Sequence, residues 1–235
     1  MVDLQSLGGT IAVANGIADR GQVGGASTLA GDLVVHAFLW NKGKLTDLGN
    51  LGGNSLEVTY FSSTGAMVGK ADLPGSQTHD AFLAKGGIMT DLGTQDGDPC
   101  SVAIGVNSKG QVVGGSTDCS NFLHAFLWEN GHMIDLNSFV PAGSDLTLTL
   151  AAFISEDGEI TAEAVLPNGD QGAVLLIPCG ENEGGNDDCE TASAPPRGLR
   201  PTLASHSVHG APEPSSPLRR LDPAHHMRPS TRAAN

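Results

Sequence analysis

A chain of 235 residues with 39% hydrophobic content holds apolar material for one sizeable packed domain or two small ones. Its 12 Lys+Arg against 26 Asp+Glu give a formal net charge of -14, a surface that repels phosphate backbones and argues against nucleic acid as a partner. No apolar run approaches the roughly 20 residues that span a bilayer. The opening, MVDLQSLGGTIAVANG, has no basic leader, apolar segment and small-residue cleavage site, so it reads as mid-domain sequence rather than as a secretory signal.

In chain order, the pair Asp-Leu occurs at Asp3-Leu4, Asp47-Leu48, Asp91-Leu92 and Asp135-Leu136, each step being 44 residues. A turn glycine precedes a short apolar run at Gly21, Gly65, Gly110 and Gly158, and a further series, Gly43, Gly87 and Gly131, precedes the next Asp-Leu. The pentapeptide HAFLW stands at His36–Trp40 and again at His124–Trp128, with a worn copy at Asp80–Leu83 and a fainter one at Gly172–Leu175. One structural unit is used four times, over residues 3–46, 47–90, 91–134 and 135–178.

Inside a unit the pattern is four short β signals with polar or glycine joints. In the third unit these are Asp91-Leu92, Ser101–Val106, Gln111–Gly115 and His124–Trp128, separated by Asn107–Gly110 and Glu129–Gly131, where Asn tolerates and Gly prefers the positive φ of hairpin loops. Strand alternation sends His36, Phe38 and Trp40 to one face and Ala37 and Leu39 to the other, and the second copy places His124, Phe126 and Trp128 likewise. Both faces are apolar, so such a sheet is covered on both sides. Four-stranded sheets of this kind, repeating every ~40 to 45 residues, predict an all-β fold, a β-propeller or an arc of one with four blades. A β-solenoid has shorter coils and a β-sandwich needs no such period, while the 32 glycines do not sustain a helical pattern. Pairing of Val2–Leu4 with the strand near Val174–Ile177 would close a ring of four; an arc of a larger ring, able to associate with itself, is the alternative.

The four cysteines suggest two pairs, Cys100 with Cys119 and Cys179 with Cys189. Three connectivities exist, free thiols are the competing state, and no CxxC spacing points to a metal or redox site. Counting back from the turn at Asn107–Gly110 puts Cys100 opposite Thr117, so that a bulge would bring it to Cys119. From 179 to 190 the chain is an acidic loop that the second pair would staple. Residues 191–235 hold eight of the 13 prolines with six arginines and two acids, which reads as a disordered tail and leaves 24 acids against six basic residues in the first 190. His225-His226, a neighbouring pair without further ligands, reads as solvent-exposed.

No GxSxG elbow, P-loop, HExxH or dinucleotide fingerprint is present. With only Arg20 and Tyr60 of their kinds in the first 190 residues, an arginine-lined site with a tyrosine nucleophile for acidic sugars is not supported. The acids outside the repeat pattern are Glu57, Asp72, Asp96, Asp98, Asp118, Glu163 and Asp170, from which a general acid and base would have to be drawn. Asp96-Gly97-Asp98 offers hard oxygen ligands to calcium, without the further ligands of an EF-hand loop.

A glycine-turn strand such as GQVVG, followed by HAFLW and then by MTDLG, resembles the HAF-repeat proteins, a bacterial family of probable extracellular repeats. The resemblance covers residues 1–178; the second unit departs from it at Asp80 and Ala84, and the fourth throughout. It implies export, to the periplasm or cell exterior, and a β-rich repeat fold, but no activity. A fainter likeness to WD-repeat blades implies that His36 bonds Asp47 and His124 bonds Asp135, with these residues and Asp91 serving the framework. The expectation is therefore a non-enzymatic exported module that binds or scaffolds a protein or cell-surface glycan; the alternative is a glycan-cleaving propeller enzyme with a carboxylate pair.

Overall fold

The repeated turn glycines act as the spacing predicts: Gly21, Gly65, Gly110 and Gly158 take φ of 77, 85, 86 and 93°, a region closed to most other residues. They close the first hairpin of each of four sheets. The computed structural model describes residues 1–75, 77–95 and 97–178, with the backbone of 199–202, all within the compact unit Met1–Ala204. The first sheet comprises β1 (Gly8–Ile17), β2 (Val23–Leu29), β3 (Val35–Asn41) and β4 (Lys44–Gly49), and the second β5 (Leu56–Phe61), β6 (Met67–Asp72), β7 (His79–Lys85) and β8 (Ile88–Gly93). The third comprises β9 (Cys100–Val106), β10 (Val112–Thr117), β11 (Phe122–Glu129) and β12 (His132–Asp135), and the fourth β13 (Thr147–Ile154), β14 (Ile160–Val165), β15 (Gln171–Pro178) and β16 (Leu199–Thr202). Each sheet is an antiparallel meander of consecutive strands. No helix among the described residues is long and apolar enough to cross a membrane.

Two expectations change. The Asp-Leu strand does not open its sheet: Asp47 pairs with Phe38 and Asp91 with Phe82, so it closes the sheet of the HAFLW strand before it, and repeat unit and sheet are out of phase. The loop from Gly43 to the Asp-Leu strand is too short to lead anywhere but back along β3. Nor do residues 1–6 form a strand, and the outer edge of β15 is taken by Leu199–Thr202, read above as tail, with Ile177 opposite Arg200. The predicted closure by Val2–Leu4 is therefore not made.

Inside each sheet the HAFLW phenylalanine dictates its cross-strand partner. Phe38 lies opposite Gly25, Phe82 opposite Gly69 and Phe126 opposite Gly114, and a Cβ on any of the three glycines would meet the ring within 3.0 Å. The fourth unit has the smaller Val174 at the phenylalanine position, and its partner is Ala162. The pair trades volume for volume. A second repeated device is a bulge in the first strand of each sheet, which leaves Asn15, Thr59, Ile104 and Ala152 without a cross-strand partner. Two bulge side chains turn this to use: Asn15 Nδ2 donates to Val58 O at 2.9 Å and Thr59 Oγ1 to Ala103 O at 2.6 Å, each tying its sheet to the next.

Consecutive sheets pack face to face around three apolar clusters. The first joins Ala37 to Phe61, Met67 and Phe82, the second Val68 and Leu83 to Val106 and Phe126, and the third Val113 and Leu127 to Leu148, Ile154 and Ile160. In the third sheet Cys100 lies opposite Thr117 as expected, and the chain then turns so that Cys119, at φ 72°, forms a disulfide with Cys100 at a Cα–Cα distance of 5.1 Å. Cys179 and Cys189 lie outside the described residues.

Candidate functional site

The repeat aspartates are bound within their own turns. Gln5 N donates to Asp3 Oδ1 at 2.9 Å, Gly49 N to Asp47 at 2.8 Å, Gly93 N to Asp91 at 2.9 Å and Asn137 N to Asp135 at 2.8 Å. An aspartate accepting from the backbone two residues on is a local turn device that any such sequence can form. In the first sheet the same carboxylate also receives His36, whose Nδ1 lies 2.9 and 3.0 Å from Asp47 Oδ1 and Oδ2, the bond that the likeness to WD-repeat blades implies. In the third sheet the pairing differs: His124 Nδ1 bonds Asp98 Oδ2 at 2.8 Å, not Asp135. Asp135 is instead the cap of a short 3-10 turn, Leu136–Phe139, and Asn137 Nδ2 also donates to it at 2.9 Å. Phe38 and Trp40, and with them Phe126 and Trp128, are half-buried to fully buried on the faces that alternation assigned.

The second sheet carries the least ordinary chemistry. Asp80 stands where the first and third copies have histidine, so that it meets Asp91 acid against acid. Asp80 is buried, and its pKa is raised to about 6, first by burial, then by the charge of Asp91 and by the hydrogen bond between the two carboxyls. Asp80 therefore holds its proton to a higher pH than an exposed aspartate does. Close by, Lys70 Nζ lies 3.3 Å from Glu57 Oε2, and the pKa of His79 is lowered by burial and by Lys70. The acid pair was not foreseen, although its signal is in the sequence: aspartate at the histidine position, one short hairpin away from the repeat aspartate.

Because the folded pKa of Asp80 lies above its ordinary value of 3.8, its share of stability is present in full below pH ~4 and is lost as pH rises through about 6. Asp80 is therefore expected to contribute about 1.3 kcal/mol more at pH 5 than at pH 7, against the opposite trend of His79, whose lowered pKa costs stability on acidification. Asp80→Asn should remove that pH dependence, whereas Asp80→His should rebuild the pair seen at His36 and Asp47. A wild-type midpoint that follows the same course between pH 5 and 7 as that of Asp80→Asn would contradict the assignment.

Among the described residues, the acids outside the pattern do not assemble into a carboxylate pair. Asp98 is held by His124, Asp72 accepts from Ser55 N at 3.2 Å, and Asp118 accepts from Ser120 N and Asn121 N at 2.8 and 2.7 Å, with its pKa lowered chiefly by Asn121. Asp170 accepts from Asn168 Nδ2 at 2.7 Å, Glu163 is exposed on β14, and Asp96 lies outside the described residues. Among the described residues no three His, Cys, Asp or Glu side chains gather as a metal site, and the calcium reading retains only Asp98, already bonded to histidine. None of the six described acids of this set lines the cleft of about 440 Å³ between residues 1–5 and Ala12, Ala14 and Phe38. Compared with known proteins, the chain matches no family model, no curated protein and no solved structure.

Proposed function

We propose that this protein is an exported, non-enzymatic module of propeller-like arrangement that binds or scaffolds a protein or cell-surface glycan. One observation carries the reading: the polar residues that recur from unit to unit are consumed by the framework, as Asp47 is by His36 and Gly49 N and Asp135 is by Asn137. What varies between units is then the surface open to recognition, as in other repeat architectures. The Cys100–Cys119 disulfide supports an oxidising compartment, and with it export. The resemblance to HAF-repeat proteins points the same way.

A second reading, a glycan-cleaving enzyme, draws on the Asp80–Asp91 pair, in which the pKa of Asp80 is raised to about 6. Hydrogen-bonded carboxyls are closer than the roughly 5 Å or more that glycoside hydrolysis requires, and the pair occupies the place of the His36–Asp47 bond in the first sheet. A panel of polysaccharides assayed for both retention on immobilised protein and release of new reducing ends separates the two readings. Retention without release is expected; release that Asp80→Asn abolishes would favour the enzyme.

A further inference from the structure

The three joints between consecutive sheets repeat one design, and the two outermost faces are its unmatched halves. At each joint the fourth residue before the turn glycine, Phe61, Val106 or Ile154, is buried against the preceding sheet. The same position in the first sheet is Ile17, which is 69% exposed. On the opposite faces, Leu83 and Leu127 of the HAFLW strands are buried beneath the following sheet, but their counterpart Leu175 is 36% exposed. The register puts Phe153, Thr161 and Leu175 side by side on that outer face, with Phe153 54% exposed. Apolar side chains grouped in this way mark an interaction surface rather than scattered exposure.

We infer that the outer face of the fourth sheet of one copy seats on the outer face of the first sheet of a second copy, head to tail, as a continuation of the internal joints. The sizes at the contact agree. At the first joint the Phe61 ring fills the hollow over Gly16 and Gly24, where an added Cβ would lie 3.2 and 2.3 Å from it. At the second, Val68 stands in the place of Gly24 and the facing residue is the smaller Val106. The intermolecular joint sets Ile17 against Phe153 and Thr161 in those two places, again a β-branched side chain over filled positions. Since the two faces differ, the contact is heterologous: it closes into a ring if the rotation permits and otherwise propagates as a filament. This inference stands apart from what the module binds.

The test is light scattering on the full chain at micromolar concentration, for the wild type, for Ile17→Arg, for Leu175→Arg and for their equimolar mixture. Both positions are exposed, and an unchanged circular dichroism spectrum checks that each monomer folds; Thr161→Arg, on the same exposed face, replaces Leu175→Arg if it does not. The wild type is expected at twice the monomer mass or a higher multiple, and each variant alone at the monomer mass. The mixture should double in mass, because the intact fourth sheet of one variant meets the intact first sheet of the other. A monomeric wild type, a single variant that keeps the wild-type mass, or a mixture that stays monomeric overturns the inference.

Discussion

Replacing Phe82 with alanine is expected to lower the unfolding free energy by about 3–5 kcal/mol, seen as a fall in the denaturant midpoint at unchanged slope. Phe82 is fully buried, clusters with Leu56, Val58 and Phe61, and fills a space that Gly69 leaves for it. Alanine leaves a cavity that the neighbours cannot close, because Gly69 has no side chain to move into it and both sheets are held by their ladders. Phe38→Ala is expected to cost less. Phe38 has the same glycine partner, but it borders the cleft beneath residues 1–5, where water can enter the space it vacates. Equal losses at the two positions would show that the joint between sheets adds nothing to the packing within one.

The second large effect belongs to the disulfide. Cys100→Ala with Cys119→Ala is expected to destabilise the protein by about 3 kcal/mol, from a closed loop of 19 residues in the unfolded chain. Reduction of the wild type should reproduce most of that loss. Cys100 is fully buried at the start of β9, so reductant should act slowly on the native state and quickly once the third sheet opens. Thermal midpoints measured with and without reductant check this directly; coincident midpoints would mean that the bond constrains nothing the fold does not already hold.

The strand content and the four-fold repetition were legible because both rest on local chemistry. Turn glycines at a fixed spacing and alternating apolar residues dictate hairpins wherever they occur, and the Cys100–Cys119 pair followed from counting along one hairpin. What the counting missed there was compensated: Val106 pairs with Val112, and the bulge at Ile104 restores Cys100 opposite Thr117. The contacts between phenylalanine and glycine were legible in principle too, since Gly25, Gly69 and Gly114 fall at one place in the repeat and Ala162 departs from it together with Val174.

The candidate site was legible only in part. His36 and Asp47 face each other across a single hairpin, so their separation along the chain settles their bond. His124 and Asp135 have the same separation, but a second acid, Asp98, reaches the ring from the loop before β9, and Asp135 is drawn instead into a cap. A repeat pattern cannot rank two carboxylates that compete for one imidazole, because the outcome depends on where a loop from outside the hairpin comes to rest. The raised pKa of Asp80 is likewise a matter of burial and of Asp91, neither of which the residue carries by itself.

The sequence by itself determined that the chain makes four antiparallel meanders with glycine turns, since each hairpin is specified within about twenty residues by φ preference and side-chain alternation. Only the tertiary structure decided which strand belongs to which sheet, that Leu199–Thr202 and not Val2–Leu4 lies on the edge of β15, and that Ile17 and Leu175 are left uncovered. Those outcomes turn on the packing of one sheet against the next. Packing joins residues far apart in the chain by shape and burial, for which a repeating sequence offers several near-equivalent partners and no local rule to choose among them.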